Sequence, residues 1–182
     1  RKFPQLNGFK GAPGLIRLIG HRGARGLMPE NTLEGFEYTL DLDVRALEFD
    51  VLISKDNVPI ITHDDRLSAA ITRNKSGEWL TNNCPKVNEL TLSELKQFDV
   101  GGLDQHSIYG KNYPHQKFLS GVRIPKLSEL LDLVCSQKNK NIYLLLEIKP
   151  TPSQNITNVV RQIITEISEK KVFHCTVLHS FD

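Results

Sequence analysis

The chain has 182 residues, of which 39% are hydrophobic and 24% charged, the balance of an ordinary globular protein long enough to bury a sizeable core. A formal net charge of +2 gives no ground for a nucleic-acid or anionic-membrane partner. No apolar run approaches the roughly 20 residues of a membrane-spanning helix.

Cys84, Cys135 and Cys175 are scattered, without metal or redox spacing, and read as separate packing or surface thiols that leave the redox compartment open. The chain opens on Arg1, which fits either a removed leader or a trimmed start. Residues 1–14 read as an N-terminal extension. Export or retention in the cytoplasm and the oligomeric state are both left open.

From Leu15 the pattern alternates strand and helix. Leu15–Gly20 (LIRLIG) predicts a short buried strand that ends in His21-Arg22-Gly23. Asn31 is the expected N-cap of the next helix, with Glu34 completing a capping box and Leu33, Phe36 and Leu40 on one helical face. Ala46–Ile53 (ALEFDVLI) alternates as a strand does. Lys55–Asn57 signals a turn, and Pro59–His63 reads as another strand.

Between Arg66 and Ile124 the rhythm breaks, with one helix at TLSELKQF opened by a Thr91/Glu94 capping box. So long an irregular stretch reads as an inserted subdomain, 66–124, over one mouth of the sheet. A helix at Leu127–Val134 and a strand at Ile142–Lys149 follow. Next comes an amphipathic helix with Ile156, Val159, Val160, Ile163, Ile164 and Ile167 at 3.6-residue spacing, then a strand at Thr176–Leu178. Strands separated by helices imply parallel βαβ units, hence an α/β domain over residues 15–182.

The chemistry gathers at strand ends. Glu48 and Asp50 share one face of their strand, about 7 Å apart by the standard rise, while Leu47, Phe49 and Val51 face the other way. Glu147 and Lys149 repeat the pattern, opposite Leu146 and Ile148. His21, Arg22 and His63 also fall at the C-terminal ends of expected parallel strands, the edge on which such sheets build their sites. Each of these residues alone could be a solvated strand end, and His63-Asp64 a turn. Seven ionisable groups beside apolar neighbours are costly, however, unless they pair or bind something.

Three converging carboxylates call for a cation, and oxygen ligands suit a hard one, Mg²⁺ or Ca²⁺. Zinc is disfavoured without a cysteine, although His21 and His63 keep it formally open. Arg22 and Lys149 beside such a metal imply an anionic substrate, and a forked guanidinium suits phosphate. Two histidines can divide general acid and general base between them. The set reads as phosphoester cleavage of a small-molecule phosphodiester.

The motifs IGHRGARGLMPENTLEGF, LEFDVLISKDNVPIITHD, IPKLSELL, LLLEIKP and HSFD, taken in order, resemble the glycerophosphodiester phosphodiesterase family from about Leu15 to Asp182. The resemblance implies a TIM-type (β/α)8 barrel with a small insertion after the third strand. It also implies hydrolysis of glycerophosphodiesters to glycerol 3-phosphate and an alcohol. By matching positions, His21 and His63 would be the acid/base pair, and Glu48, Asp50 and Glu147 would hold one divalent cation. Arg22 and Lys149 would contact the phosphate, with Glu30 and Asn31 shaping the site.

Two positions depart from the pattern. His179 stands where relatives more often carry an uncharged polar residue, as a strand-end spectator or a substrate contact. Lys126 replaces the usual N-cap hydroxyl, which weakens the cap. An eight-stranded barrel takes about 250 residues, and about five of its strands are expected here, so the chain stops before the barrel would close. Two other readings compete. One is a lysophospholipase-D-like or sphingomyelinase-D-like enzyme, which needs an apolar groove for an acyl chain. The other is a non-catalytic phosphodiester-binding barrel, which would have lost a carboxylate or a histidine.

Overall fold

The computed structural model describes residues 17–81, 83–137, 141–151 and 154–181. The expected N-terminal extension, together with Leu15 and Ile16 of the first expected strand, therefore lies outside the described residues. Strand β1 is only Gly20–His21. Leu18 and Ile19, expected within a buried strand, stay 67% and 41% exposed.

Helix α1 (Leu33–Asp41) is capped by Thr32, whose hydroxyl accepts from the Gly35 N–H at 3.1 Å. This corrects the expected Asn31 cap: the side chain of Asn31 is taken by Asp50 instead. Strand β2 (Ala46–Ile53) follows as the alternation predicts. Strand β3 (Pro59–Ile61) then pairs with it antiparallel, Val51 opposite Ile61. The expectation of a parallel third strand was wrong for a geometric reason. A parallel crossover needs a dozen or more residues, whereas residues 54–58 close a hairpin, with Asn57 in the left-handed region at φ 63°.

A 3₁₀ turn (Val87–Glu89) and two one-turn helices, α2 (Leu92–Leu95) and α3 (Ile108–Lys111), occupy the irregular stretch. The Thr91/Glu94 capping box is present as expected. This stretch has its own apolar cluster of Leu52, Ile60, Leu67, Val87, Leu95, Val100, Val122 and Ile124. Nearby, Arg73 pairs with Asp99 at 3.0 Å and lies 4.2 Å from the Phe118 ring centroid. Asp99 also accepts the Gly101 and Gly121 N–H groups at 2.9 and 2.7 Å.

Helix α4 (Leu127–Ser136) starts at Lys126, whose side chain has no acceptor to offer. Glu129 supplies half a box by accepting the Lys126 N–H at 2.7 Å. Strand β4 (Tyr143–Ile148), helix α5 (Ile156–Glu169) and strand β5 (Thr176–His179) complete the order. On α5, Val159, Ile163 and Ile167 are buried, while Ile156 and Ile164 at the stripe's flank are exposed.

The parallel strands run β1-β2-β4-β5, with β3 attached to β2 off that path. Leu47, Phe49, Val51 and Ile53, with Leu144, Leu146 and Ile148, pack against helix residues such as Phe36, Leu40, Leu130 and Ile163 in the main core. Phe36 and Phe49 meet edge to face with centroids 5.9 Å apart. The apolar side of the sheet is thus committed to helices, and the alternate residues are left for chemistry. No helix among the described residues is long and apolar enough to cross a membrane.

Candidate active site

The register aligns the functional residues across four strands. His21 lies opposite Glu48, Asp50 opposite Glu147, and Glu147 opposite His179. Residues two apart on a strand share a face, so His21, Glu48, Asp50, Glu147 and His179 all fall on the side opposite the helices. His63 arrives by another route. The β3 hairpin returns alongside β2, and the Thr62 N–H donates to the Asp50 carbonyl at 3.1 Å. His63 is thereby carried back to the level of the two carboxylates.

The loop after β1 is tightly built. A Cβ on Gly20 would stand 2.5 Å from the Gly23 carbonyl oxygen and 2.6 Å from Thr39 Cγ2, so only glycine fits. Arg22 and Asn31 both occupy the left-handed region, at φ 50° and 54°, a conformation side-chain-bearing residues adopt at a cost of order 1 kcal/mol or more. The surrounding contacts hold them there. The Arg22 N–H donates to Glu48 Oε2 at 2.9 Å, and the Asn31 N–H to the Arg22 carbonyl at 3.0 Å. Asn31 Nδ2 donates to Asp50 Oδ2 at 3.0 Å.

The Arg22 guanidinium reaches Glu30 through Nη1 at 2.8 Å and lies, through Nε, 3.4 Å from Asp50 Oδ2. That Nε is buried and makes no hydrogen bond among the described residues, and neither does the buried Asn31 Oδ1. Lys149 Nζ bridges Glu147 at 2.5 Å and Asp50 at 3.3 Å. Asp50 is therefore ringed by Arg22, Asn31 and Lys149. Glu48 and Glu147 instead come together with His179, their donor atoms all within 4.8 Å of one another. His21 Nε2 is 3.7 Å from Glu48 Oε2. The structure thus gathers all nine residues singled out in the sequence at one end of the sheet.

The electrostatics divide along the same lines. Burial pushes the Glu48 carboxyl above its ordinary value, and the charges of Asp50 and Glu147 add to that push against the Arg22 N–H. Negative charge is crowded here, which suits a cation. His21 is lowered, first by burial and then by the charges of Arg25 and Arg22, so its neutral, proton-accepting form persists to lower pH. His63 Nδ1 lies 2.6 Å from Asp64 Oδ1, a bond that holds the Asp64 carboxyl low. A carboxylate on Nδ1 places the ring proton there and leaves Nε2 as the working nitrogen.

If His21 acts as a base, the acid limb of its kcat/KM profile falls below the ordinary imidazole value of about 6.5. Replacing Arg25 with alanine removes a positive neighbour, raises the His21 value and shifts that limb upward. A pH–rate series on both proteins reads the shift, and coincident limbs would contradict it.

Sequence reasoning undervalued three residues. Asp64 reads from sequence only as a turn former, although its place beside His63 is a signal. Tyr109, in the irregular stretch, donates its hydroxyl to Glu30, and Arg25 lies 3.4 Å from the same hydroxyl. Burial and the Glu30 charge both raise Tyr109, keeping it a donor. His179, read as a spectator or a substrate contact, is the third. Tyr109 is the second holder of the carboxylate that orients Arg22. Tyr109→Phe is expected to lower kcat/KM by about 10- to 150-fold, since a hydrogen bond to a charged group contributes about 1.5–3 kcal/mol. Steady-state kinetics beside a thermal midpoint would separate this from a loss of folding.

A sequence profile of the glycerophosphoryl diester phosphodiesterase family matches residues 21–174, and the chain belongs to that family. The Bacillus subtilis protein YhdW is 34% identical over 152 residues, which are 83% of this chain and 52% of that one. A crystal structure of a Silicibacter pomeroyi DSS-3 protein bearing the same family description superposes with a TM-score of 0.95 at 46% identity. It covers 100% of this chain and 62% of that one. An Oleispira antarctica phosphodiesterase, solved in complex with the product sn-glycerol-3-phosphate, gives a TM-score of 0.62 at 28% identity, covering 92% of this chain and 58% of that one. The chain spans about half the length of that Bacillus subtilis relative. The parallel sheet and its helices are part of a TIM-type barrel, as the sequence led one to expect.

Proposed function

We propose that this protein hydrolyses glycerophosphodiesters to glycerol 3-phosphate and an alcohol. The observation that carries the proposal is the cross-strand register that sets His21 opposite Glu48 and Asp50 opposite Glu147 on one face of the sheet, with Lys149 and Arg22 beside Asp50. Family membership and the glycerol-3-phosphate complex of the Oleispira relative support the substrate class.

In this reading the Arg22 guanidinium and the Lys149 ammonium take non-bridging phosphate oxygens. His21, kept neutral by its surroundings, removes a proton from the nucleophile, either a water or the glycerol 2-hydroxyl, the latter giving a cyclic phosphate that a water then opens. His63, oriented by Asp64, delivers a proton from Nε2 to the departing alcohol. Glu48, Asp50 and Glu147 would hold a divalent cation, with Mg²⁺ and Ca²⁺ the hard-ion candidates. The charges of Asp50 and Glu147, which add to the effect of burial in raising Glu48, are the feature that fits such an ion. When bound, it would neutralise charge on the phosphate. Residues 66–124 act in this reading as a cover that anchors Glu30 through Tyr109.

The test is release of glycerol 3-phosphate from glycerophosphocholine with and without EDTA. Activity that chelation leaves untouched contradicts the metal assignment. A second reading, an acylated substrate, is favoured by one feature. The cavity of about 670 Å³ beside His63 and Lys149 has an apolar flank of Ile148, Pro150, Ile156 and Phe181. Turnover of lysophosphatidylcholine in preference to glycerophosphocholine would select it.

A further inference from the structure

We propose that His179 is a nitrogen ligand of the divalent cation, so that the centre binds a first-row transition ion such as Mn²⁺ more tightly than Mg²⁺ or Ca²⁺. The inference rests on the metal reading above and adds to its all-oxygen donor set.

Two observations carry it independently. The first is register: β5 pairs with β4 so that His179 lies directly opposite Glu147, on the face that also presents Glu48. The second is distance: an imidazole nitrogen of His179 and one oxygen from each of Glu48 and Glu147 all lie within 4.8 Å of one another. Two donors about 2.1 Å from one ion stand about 3 Å apart when adjacent and about 4.2 Å apart when opposed. Small side-chain rotations close the remaining gap. Phe181 also meets the ring edge-on, 6.0 Å between centroids.

The donor type then sets the ion. Carboxylate and carbonyl oxygens suit Mg²⁺ and Ca²⁺, whereas an imidazole shifts the affinity order toward the first-row transition ions. A spectator at a strand end would need no such company. Ser180, the next residue, already closes the strand by donating its hydroxyl to the Ile148 carbonyl at 3.0 Å. Strand pairing and the Ser180 bond thus hold the His179 backbone opposite Glu147, which prearranges the residue as a ligand.

The experiment uses Mn²⁺ as the probe on the intact protein at pH 8. Pulsed EPR reads ¹⁴N coupling to the bound ion, and calorimetric titration reads Mn²⁺ and Mg²⁺ affinities. The wild type is expected to show ¹⁴N coupling from a directly bound nitrogen. His179→Gln should lose it and bind Mn²⁺ at least tenfold more weakly, with Mg²⁺ affinity changed less than threefold. Absence of ¹⁴N coupling in the wild type overturns the proposal without any variant. So does its persistence in His179→Gln. Glu147→Gln separates the ligand from the centre that would hold it. If it abolishes Mn²⁺ binding while the wild type lacks ¹⁴N coupling, only the His179 ligand fails. If it leaves Mn²⁺ binding unchanged, the metal centre itself is wrong.

Discussion

His63→Ala is expected to lower kcat by about 10²–10⁴, the contribution of one well-placed acid or base. Its thermal midpoint should stay close to the wild type, because the ring contributes to neither apolar cluster. The identity of the lost step can be read from the leaving group. A nitrophenyl ester departs without a proton, so a variant lacking only the acid regains most of its rate on that substrate. His21→Ala, lacking the base, should be slow on both. Equal losses on both substrates for His63→Ala would overturn the assignment of His63 as the acid. Asp64→Asn gives the companion measurement: the amide no longer fixes the proton on Nδ1, and kcat falls while KM changes little.

The second large effect concerns stability. Arg73→Met leaves Asp99 buried without its guanidinium, and removing one partner of a buried pair costs about 3–5 kcal/mol. It also removes a cation from the faces of Phe118 and Trp79 and the donor to the Leu119 carbonyl. Denaturant unfolding of wild type and variant would measure the difference, and a change under about 1 kcal/mol would refute the role given to the pair.

The pH dependence has a definite sign. Burial alone would raise Asp99, but the Gly121 and Gly101 N–H groups and Arg73 hold it below its ordinary value. A carboxyl depressed on folding contributes stability that is present above its unfolded value, about 3.9, and is lost as pH falls through the lower folded value. Irregular structure between β3 and α4 should therefore loosen below about pH 4.

Much of the fold and site could be read from residue order. The period-two alternation of Ala46–Ile53 gave both the strand and the pair Glu48/Asp50, because pleating leaves no other way to bury Leu47, Phe49 and Val51. The same logic placed Glu147 and Lys149. What could not be read was set by geometry between distant residues. Apolar content does not encode strand direction, so β3 was misjudged although its short connection carried the answer. Asn31 and Thr32 are both competent caps, and only the buried carboxylate of Asp50 decides between them. Tyr109 sits 79 positions from Glu30, and no local pattern announces such a contact. His179 became informative only once the pairing of β4 with β5 was known.

One strand serves two separate interiors. Val51 and Ile53 belong to the cluster beneath the helices, while Leu52 between them belongs to the cluster of the irregular stretch. Parity along β2 is thus an address. A lineage can revise the residues that meet Leu52 and Ile60, and with them whatever the outer layer selects, while the layer that meets Val51 and Ile53 goes on holding the reaction centre still.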